Sequence, residues 1–100
     1  MFDLLSKFGE IKEKASALKE KISTQYFDGE DSKAIVYIKV NGKKDIVDLT
    51  LKDGFSALTL SEQEAALKDA LSNAMSKSES FLISEFKSII PPIPGMNIFG

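Results

Sequence analysis

Five lysines carry the most legible chemistry in this chain. Lys7, Lys14 and Lys21 recur every seven residues, and Lys12 and Lys19 share the same interval. A row of ammonium groups is suited to neutralising the phosphates of a polyanion, which supplies affinity without reading sequence. All 13 cations are Lys and none is Arg, so bidentate guanine readout is missing except through Lys. Binding to duplex DNA would then be weakly selective and strongly salt-dependent. Lys68, Lys77 and Lys87 add further cations toward the C-terminus. A second reading needs no ligand: lysine stems commonly cover the margins of an apolar stripe and turn their heads to water. The 15 acids outnumber the 13 lysines, for a net charge of −2, so there is no long-range pull on a polyanion. By segment, residues 1–24 hold 5 Lys against 4 acids, residues 25–53 hold 5 against 6, and residues 54–100 hold 3 against 5.

Other chemistries are excluded by residue type. The chain has no His and no Cys, so no Ser-His-Asp or Cys-His nucleophile can be built. Zinc and iron–sulfur sites and disulfides go for the same reason. Gly42-Lys43-Lys44 is not a phosphate loop, because position 37 is Tyr and no Ser or Thr follows the first Lys. Asp28, Glu30, Asp31 and Ser32 lack the spacing and terminal Glu of a calcium loop. No catalytic residue, metal ligand or cofactor is assigned. The N-terminus has no continuous apolar run and no segment is long enough for a membrane span. The expectation is a soluble cytoplasmic protein that works by binding.

The elements that must position the lysines follow from periodicity. Leu4, Phe8, Ile11, Ala15, Leu18 and Ile22 step by four and three without a break, a heptad seam on a helix from about Phe2 to about Ser23. Lys7, Lys14 and Lys21 flank one side of the seam, Lys12 and Lys19 the other. Asp3, Glu10, Glu13 and Glu20 lie away from it. Parallel pairing of two such helices would oppose lysines, so the seam is expected to pack on the C-terminal helix or the sheet, leaving the lysines as a rail along a groove. The period then changes to two. Ala34, Val36, Ile38 and Val40 share one face of a strand, and Val47, Leu49 and Leu51 share one face of the next. Asn41-Gly42 between them signals a type I′ hairpin. Thr24–Phe27 is a candidate further strand, with Asp28–Ser32 as its turn. Ser61 and Glu64 have the spacing of a capping box, with Leu60 and Ala65 as a weak staple. The helix they open runs from about Glu62 to about Ser88, with a stripe of Leu67, Ala70, Leu71, Ala74, Met75, Phe81, Leu82, Phe86 and Ile89. Ser78 and Glu85 project near the middle of the stripe and are expected to be solvated as the helix leaves the core, the alternative being a polar contact inside a helix interface. Pro91, Pro92 and Pro94 end the helix and lead an apolar tail over about 91–100. The whole is a single α+β domain over residues 1–100, an N-terminal helix, a three-stranded antiparallel meander and a long C-terminal helix.

This order resembles the YbaB/EbfC family of nucleoid-associated DNA-binding proteins. The carriers are the Met1-Phe2 start and its Lys/Glu helix, then Val36–Val40 running into Asn41-Gly42, then Ile46–Leu51. The stretch Glu64–Ala74 and the close Pro94-Gly95-Met96-Asn97-Ile98 follow. The resemblance implies an intertwined homodimer whose sheets join and whose helices project like tweezers. It also implies binding to duplex DNA with little sequence preference, association with the nucleoid, and neither enzymatic activity nor a cofactor. Members of the family tend to carry glycine where this chain has Ala34. Cations suited to DNA are fewer here than in the family, and Arg is wholly missing. On this reading Lys7, Lys12, Lys14, Lys19 and Lys21 contact phosphates, joined by Lys68, Lys77 and Lys87. The alternative is a protein-interaction or chaperone-like dimer of the same fold without useful DNA affinity, using its apolar tail.

Overall fold

Alternating apolar residues in the middle of the chain, bracketed by two helical periods, produce an α+β fold. The computed structural model describes residues 2–89, with side chains from residue 8 onward. The elements are α1 (Phe2–Thr24), β1 (Tyr26–Glu30), β2 (Val36–Asn41), β3 (Ile46–Leu51), a 3-10 turn (Phe55–Ala57) and α2 (Leu60–Ile89). The strands form one antiparallel sheet in the order β1-β2-β3. The proline-containing tail lies outside the described residues.

The core sits between α2 and the β1–β2 half of the sheet. Val36, Ile38 and Val40 face Ala66, Ala70 and Ala74, and all six are buried. Each buried β-branched side chain contributes roughly 1.5–3 kcal/mol. Small residues every fourth position on α2 let its backbone approach the sheet closely. At the closest point stands Gly29, where a Cβ would lie 2.1 Å from the Ala70 carbonyl oxygen and 2.4 Å from the Ala74 nitrogen. Gly29 was expected in a turn; it lies in β1 because only a strand without a side chain fits beneath this helix.

The true β1–β2 turn is organised by Asp31. Its Oδ1 accepts from the backbone N–H of Ile35 (2.7 Å) and Val36 (2.8 Å), and its Oδ2 from that of Lys33 (3.3 Å). Burial pushes the Asp31 carboxyl up, but the N–H groups of Val36, Ile35, Lys33 and Asp31 itself outweigh it and hold the group below its usual value. The turn closes through Ala34, whose φ is +55°. A side chain in this left-handed region costs about 1–2 kcal/mol, which gives a physical reason for glycine at the corresponding place in the family.

The β2–β3 hairpin falls at Asn41-Gly42 but is not type I′. The Lys44 N–H donates to the Asn41 carbonyl at 3.0 Å, and the left-handed residue is Lys44, with φ +68°. This is the three-residue loop rather than the two-residue one. Gly42 serves α1 instead. Its N–H donates to the Ile22 carbonyl at 2.8 Å, and a Cβ there would sit 2.6 Å from that oxygen. A bulge at Val47 shifts the register, so that Val40 faces Ile46 while Ile38 faces Leu49 and Val36 faces Leu51. Residues directly opposite share a face, so Ile46 joins the core-side face, against the alternation read from sequence.

At the start of α2 the capping box is Thr59 with Glu62. The Thr59 N–H donates to Glu62 Oε1 (3.0 Å) and the Glu62 N–H to Thr59 Oγ1 (3.2 Å). The Thr59 backbone N–H, helped by the Thr59 hydroxyl, holds the Glu62 carboxyl below its usual value. The expected Ser61–Glu64 box and Leu60–Ala65 staple do not form: Leu60 and Ala65 are exposed. Ser78, expected in solvent, is fully buried, and its Oγ donates to the carbonyls of Asn41 (3.1 Å) and Gly42 (3.4 Å). The small side chain lets the hairpin seat on α2.

These contacts generate three predictions. Gly29→Ala should cost roughly 3 kcal/mol or more, because backbone rather than a flexible side chain blocks the new methyl. Ala34→Gly should stabilise by about 0.5–1 kcal/mol, the relief being reduced by glycine's greater unfolded-state entropy. Urea midpoints at one protein concentration check both, and a Gly29→Ala chain as stable as its parent would refute the close-approach account. The third concerns acid. Asp31 is held below 3.8 in the folded chain, so its contribution is complete above that unfolded value and disappears as pH falls through the folded one. Asp31→Asn should lose about 1–2 kcal/mol at neutral pH and should lose less further stability than the parent on acidification to about pH 3. Urea titrations at the two pH values measure the difference.

Candidate nucleic-acid interface

The apolar seam of α1 is only partly covered. Leu18 is buried and Ile22 half-buried where the helix meets α2 and the hairpin, whereas Ala15 is exposed and Phe8 is 69% exposed. The expected packing on the C-terminal helix is therefore confined to the C-terminal end of α1. The two helices run antiparallel there: Lys21 meets Glu85, while Lys14 and Leu18 border Ser88 and Ile89. Beyond this contact the N-terminal half of α1 continues past the end of the described part of α2.

The seven-residue spacing separates the α1 lysines into two rows, because seven residues fall about 20° short of two full helical turns. Lys14 and Lys21 line a groove of about 340 Å³ between α1 and α2, together with Ala17, Leu18, Glu85, Ser88 and Ile89. Lys12 and Lys19 follow the other margin of the seam and are exposed. Lys12, Lys14 and Lys19 make no ion pair among the described residues. Lys21 does: its Nζ lies 2.7 Å from Glu85 Oε1 and 5.8 Å from the centre of the Phe81 ring. Glu85 is half-buried by this contact rather than solvated as expected. The side chain of Lys7 lies outside the described residues.

On α2 the three lysines do not form a row. Nine residues separate Lys68 from Lys77, which places them on opposite sides of a helix turning about 100° per residue. Lys68 and Lys87 are exposed. Lys77 is engaged by the sheet, its Nζ donating to the Asp28 carbonyl at 2.7 Å, as Asn73 Nδ2 does to the Glu30 carbonyl at 2.8 Å. Together they occupy carbonyls of β1, one edge strand of the sheet.

Two other grooves are poorly suited to a polyanion. One, about 170 Å³, is lined by Asp31, Glu62 and Asp69 against Lys33. The first two carboxyls are held below their usual values, so this end stays negative near neutral pH. The other, about 610 Å³, sets Asp28 and Glu30 against Lys77, with Tyr37 donating to Asp28 at 2.8 Å. The Asp28 bond, with burial and nearby carboxylates, pushes the Tyr37 hydroxyl's pKa up. Of these three grooves, only the one between the helices carries more lysines than acids.

Sequence reasoning missed the β2–β3 hairpin lysines. Lys43 is exposed at the tip, and Lys44 is paired with Glu79. It also missed how open β3 is. Ile46, Val47, Leu49 and Leu51 are each 46–55% exposed, because α2 lies over β1 and β2 and leaves the same face of β3 uncovered. The apolar alternation of Val47, Leu49 and Leu51, with Ile46 beside it, was the available signal.

No groups of His, Cys, Asp or Glu suited to a metal ion occur among the described residues, and no helix among them is long and apolar enough to cross a membrane. No curated protein matches the chain. Among solved structures it is similar to the crystal structure of uncharacterized protein HP0035 from Helicobacter pylori, at 19% identity and a TM-score of 0.77, covering 88% of this chain and 94% of that one. That likeness shows a shared fold. The family model for the YbaB/EbfC DNA-binding family matches residues 1–91, from the start of α1 through the end of α2, and the chain belongs to that family.

Proposed function

We propose that the protein is a homodimeric nucleoid-associated DNA-binding protein that contacts duplex phosphates through lysines with little sequence specificity. The observation that carries this reading is the set of exposed α1 lysines, Lys12, Lys14 and Lys19, without ion pairs among the described residues, in a chain of a DNA-binding family. Lys7 continues the row in sequence. Lys68 and Lys87 are further cations on α2; Lys21 and Lys77 would first leave Glu85 and the Asp28 carbonyl, and Lys87 is also engaged within the chain. The chain has no enzymatic role on this reading.

The dimer follows from the edge strand. β1 has carbonyls occupied by Asn73 and Lys77, but β3 presents an unpaired edge beside a half-exposed apolar face. An edge of this kind invites a second copy, and pairing two copies enlarges the modest core of a chain this short. It also doubles the number of α1 lysines offered to one duplex, the acids doubling with them.

Salt titration of duplex binding tests the proposal. With about six phosphates neutralised, log K should fall with log salt at a slope of roughly −5. Replacing Lys12, Lys14 and Lys19 by Ala should weaken binding to all sequences alike and make the slope shallower by about 1 for each phosphate left without its lysine. Lys39→Ala, on the sheet, should leave it unchanged. Absence of binding at low salt would remove the DNA reading and leave the protein-interaction dimer. Separately, Leu49→Asp should convert the dimer to a monomer in sedimentation; a parent chain that sediments as a monomer overturns the pairing at β3.

A further inference from the structure

The groove between α1 and α2 holds two lysines in unequal states. Lys14 and Lys21 both line it, about 10 Å apart along the helix axis. Lys14 is exposed and makes no ion pair among the described residues. Lys21 donates from Nζ to Glu85 Oε1 at 2.7 Å, and the same ammonium lies 5.8 Å from the centre of the Phe81 ring. Phe81 is itself seated on the sheet, its ring centroid 5.2 Å from that of Phe27 on β1. Phe81 and Glu85 stand four residues apart on α2, on one face of the helix, and receive the lysine together. The Glu85 side chain is only 25% exposed, against 48% for Lys21. The ion pairs Lys44–Glu79 and Lys52–Glu30 lack this shelter, with every side chain 43–52% exposed.

We propose that Glu85 is a positioning residue that withholds Lys21 from DNA, so that the charge at position 85 sets whether this groove takes one phosphate or two. The inference rests on the DNA-binding reading above and concerns the regulation of that surface. Carboxylate and phosphate compete for the same ammonium. The carboxylate is already in place, partly shielded from water, with an aromatic ring adding a cation–π attraction. A phosphate that took Lys21 would leave Glu85 half-buried, unpaired and beside a polyanion. Lys14 requires no such exchange, so it gives its charge to DNA while Lys21 does not. An amide of the same shape at position 85 frees the Lys21 ammonium at the mouth of the groove. The seat of α1 has other supports: Leu18 is buried, and the Gly42 N–H holds the Ile22 carbonyl at 2.8 Å.

The test is duplex affinity against salt for five full-length chains: the parent, Lys14→Ala, Lys21→Ala, Glu85→Gln, and Lys21→Ala with Glu85→Gln. Lys14→Ala should make the slope of log K on log salt shallower by about 1, whereas Lys21→Ala should leave it at the parent value. Glu85→Gln should steepen the slope by about 1, so that its gain over the parent grows about 3- to 4-fold as salt falls from about 200 to about 50 mM. Removing Lys21 from that chain should restore the parent slope. A Lys21→Ala slope as shallow as that of Lys14→Ala would show Lys21 already on phosphate and overturn the proposal. A Glu85→Gln slope equal to the parent's, or one that steepens equally without Lys21, overturns it too, the latter being a general charge effect. Unchanged amide shifts of Ile22 and Gly42 check that α1 stays seated in Glu85→Gln; if they move, the Lys14→Ala and Lys21→Ala slopes decide alone. Binding by the parent without coupling between positions 21 and 85 sinks this inference only. No binding by any of the five chains at low salt sinks the DNA reading, and this inference with it.

Discussion

A backbone-on-backbone contact carries the fold. α2 approaches β1 so closely that no side chain fits at Gly29, and its facing residues are Ala66, Ala70, Ala74 and Ser78. Large side chains on that line would lift the helix and separate it from Val36, Ile38 and Val40, whose burial supplies much of the apolar stabilisation. The same approach brings the Ser78 hydroxyl to the carbonyls of Asn41 and Gly42 and brings Asn73 and Lys77 to the carbonyls of β1. Packing and polar satisfaction thus depend on one row of small residues.

The consequence for function is an asymmetry between the two edges of the sheet. Helix α2 is centred over β1 and β2, so its polar side chains guard the β1 edge while β3 keeps an open edge and a half-exposed apolar face. The helices show a similar asymmetry. Where α1 meets α2, Lys21 is consumed by Glu85 and Phe81. Lys12, Lys14 and Lys19 stay exposed and make no ion pair among the described residues. Surfaces suited to a second copy and to phosphates are therefore the surfaces that the intrachain packing leaves unfinished.

Much of this was legible in the residue pattern. The five main elements, their order and the meander follow from a period of 3.6, then two, then 3.6. Their ends fall within a few residues of those expected. Most of the misreadings share one cause: the residue's role is set by a neighbour distant in sequence. Gly29 reads as a turn glycine until α2 is laid across it. Gly42 reads as a type I′ residue until the end of α1 is placed over its N–H. Ser78 reads as solvated because its acceptors are 36 and 37 residues away. Thr59 and Ser61 each stand three residues before a Glu, and the 3-10 turn at Phe55–Ala57 leads into the helix so that Thr59 becomes the cap.

Of the candidate interface, sequence by itself determined the cation type, the two rows on α1 and their position beside an apolar seam, because helical spacing fixes which residues share a face. It also determined that no imidazole, thiol or guanidinium takes part. Only the tertiary structure decided which lysines are spent inside the chain and which stay exposed. Ion pairing such as Lys21 with Glu85 depends on two helices brought together across 64 residues of sequence, and no local period encodes that distance.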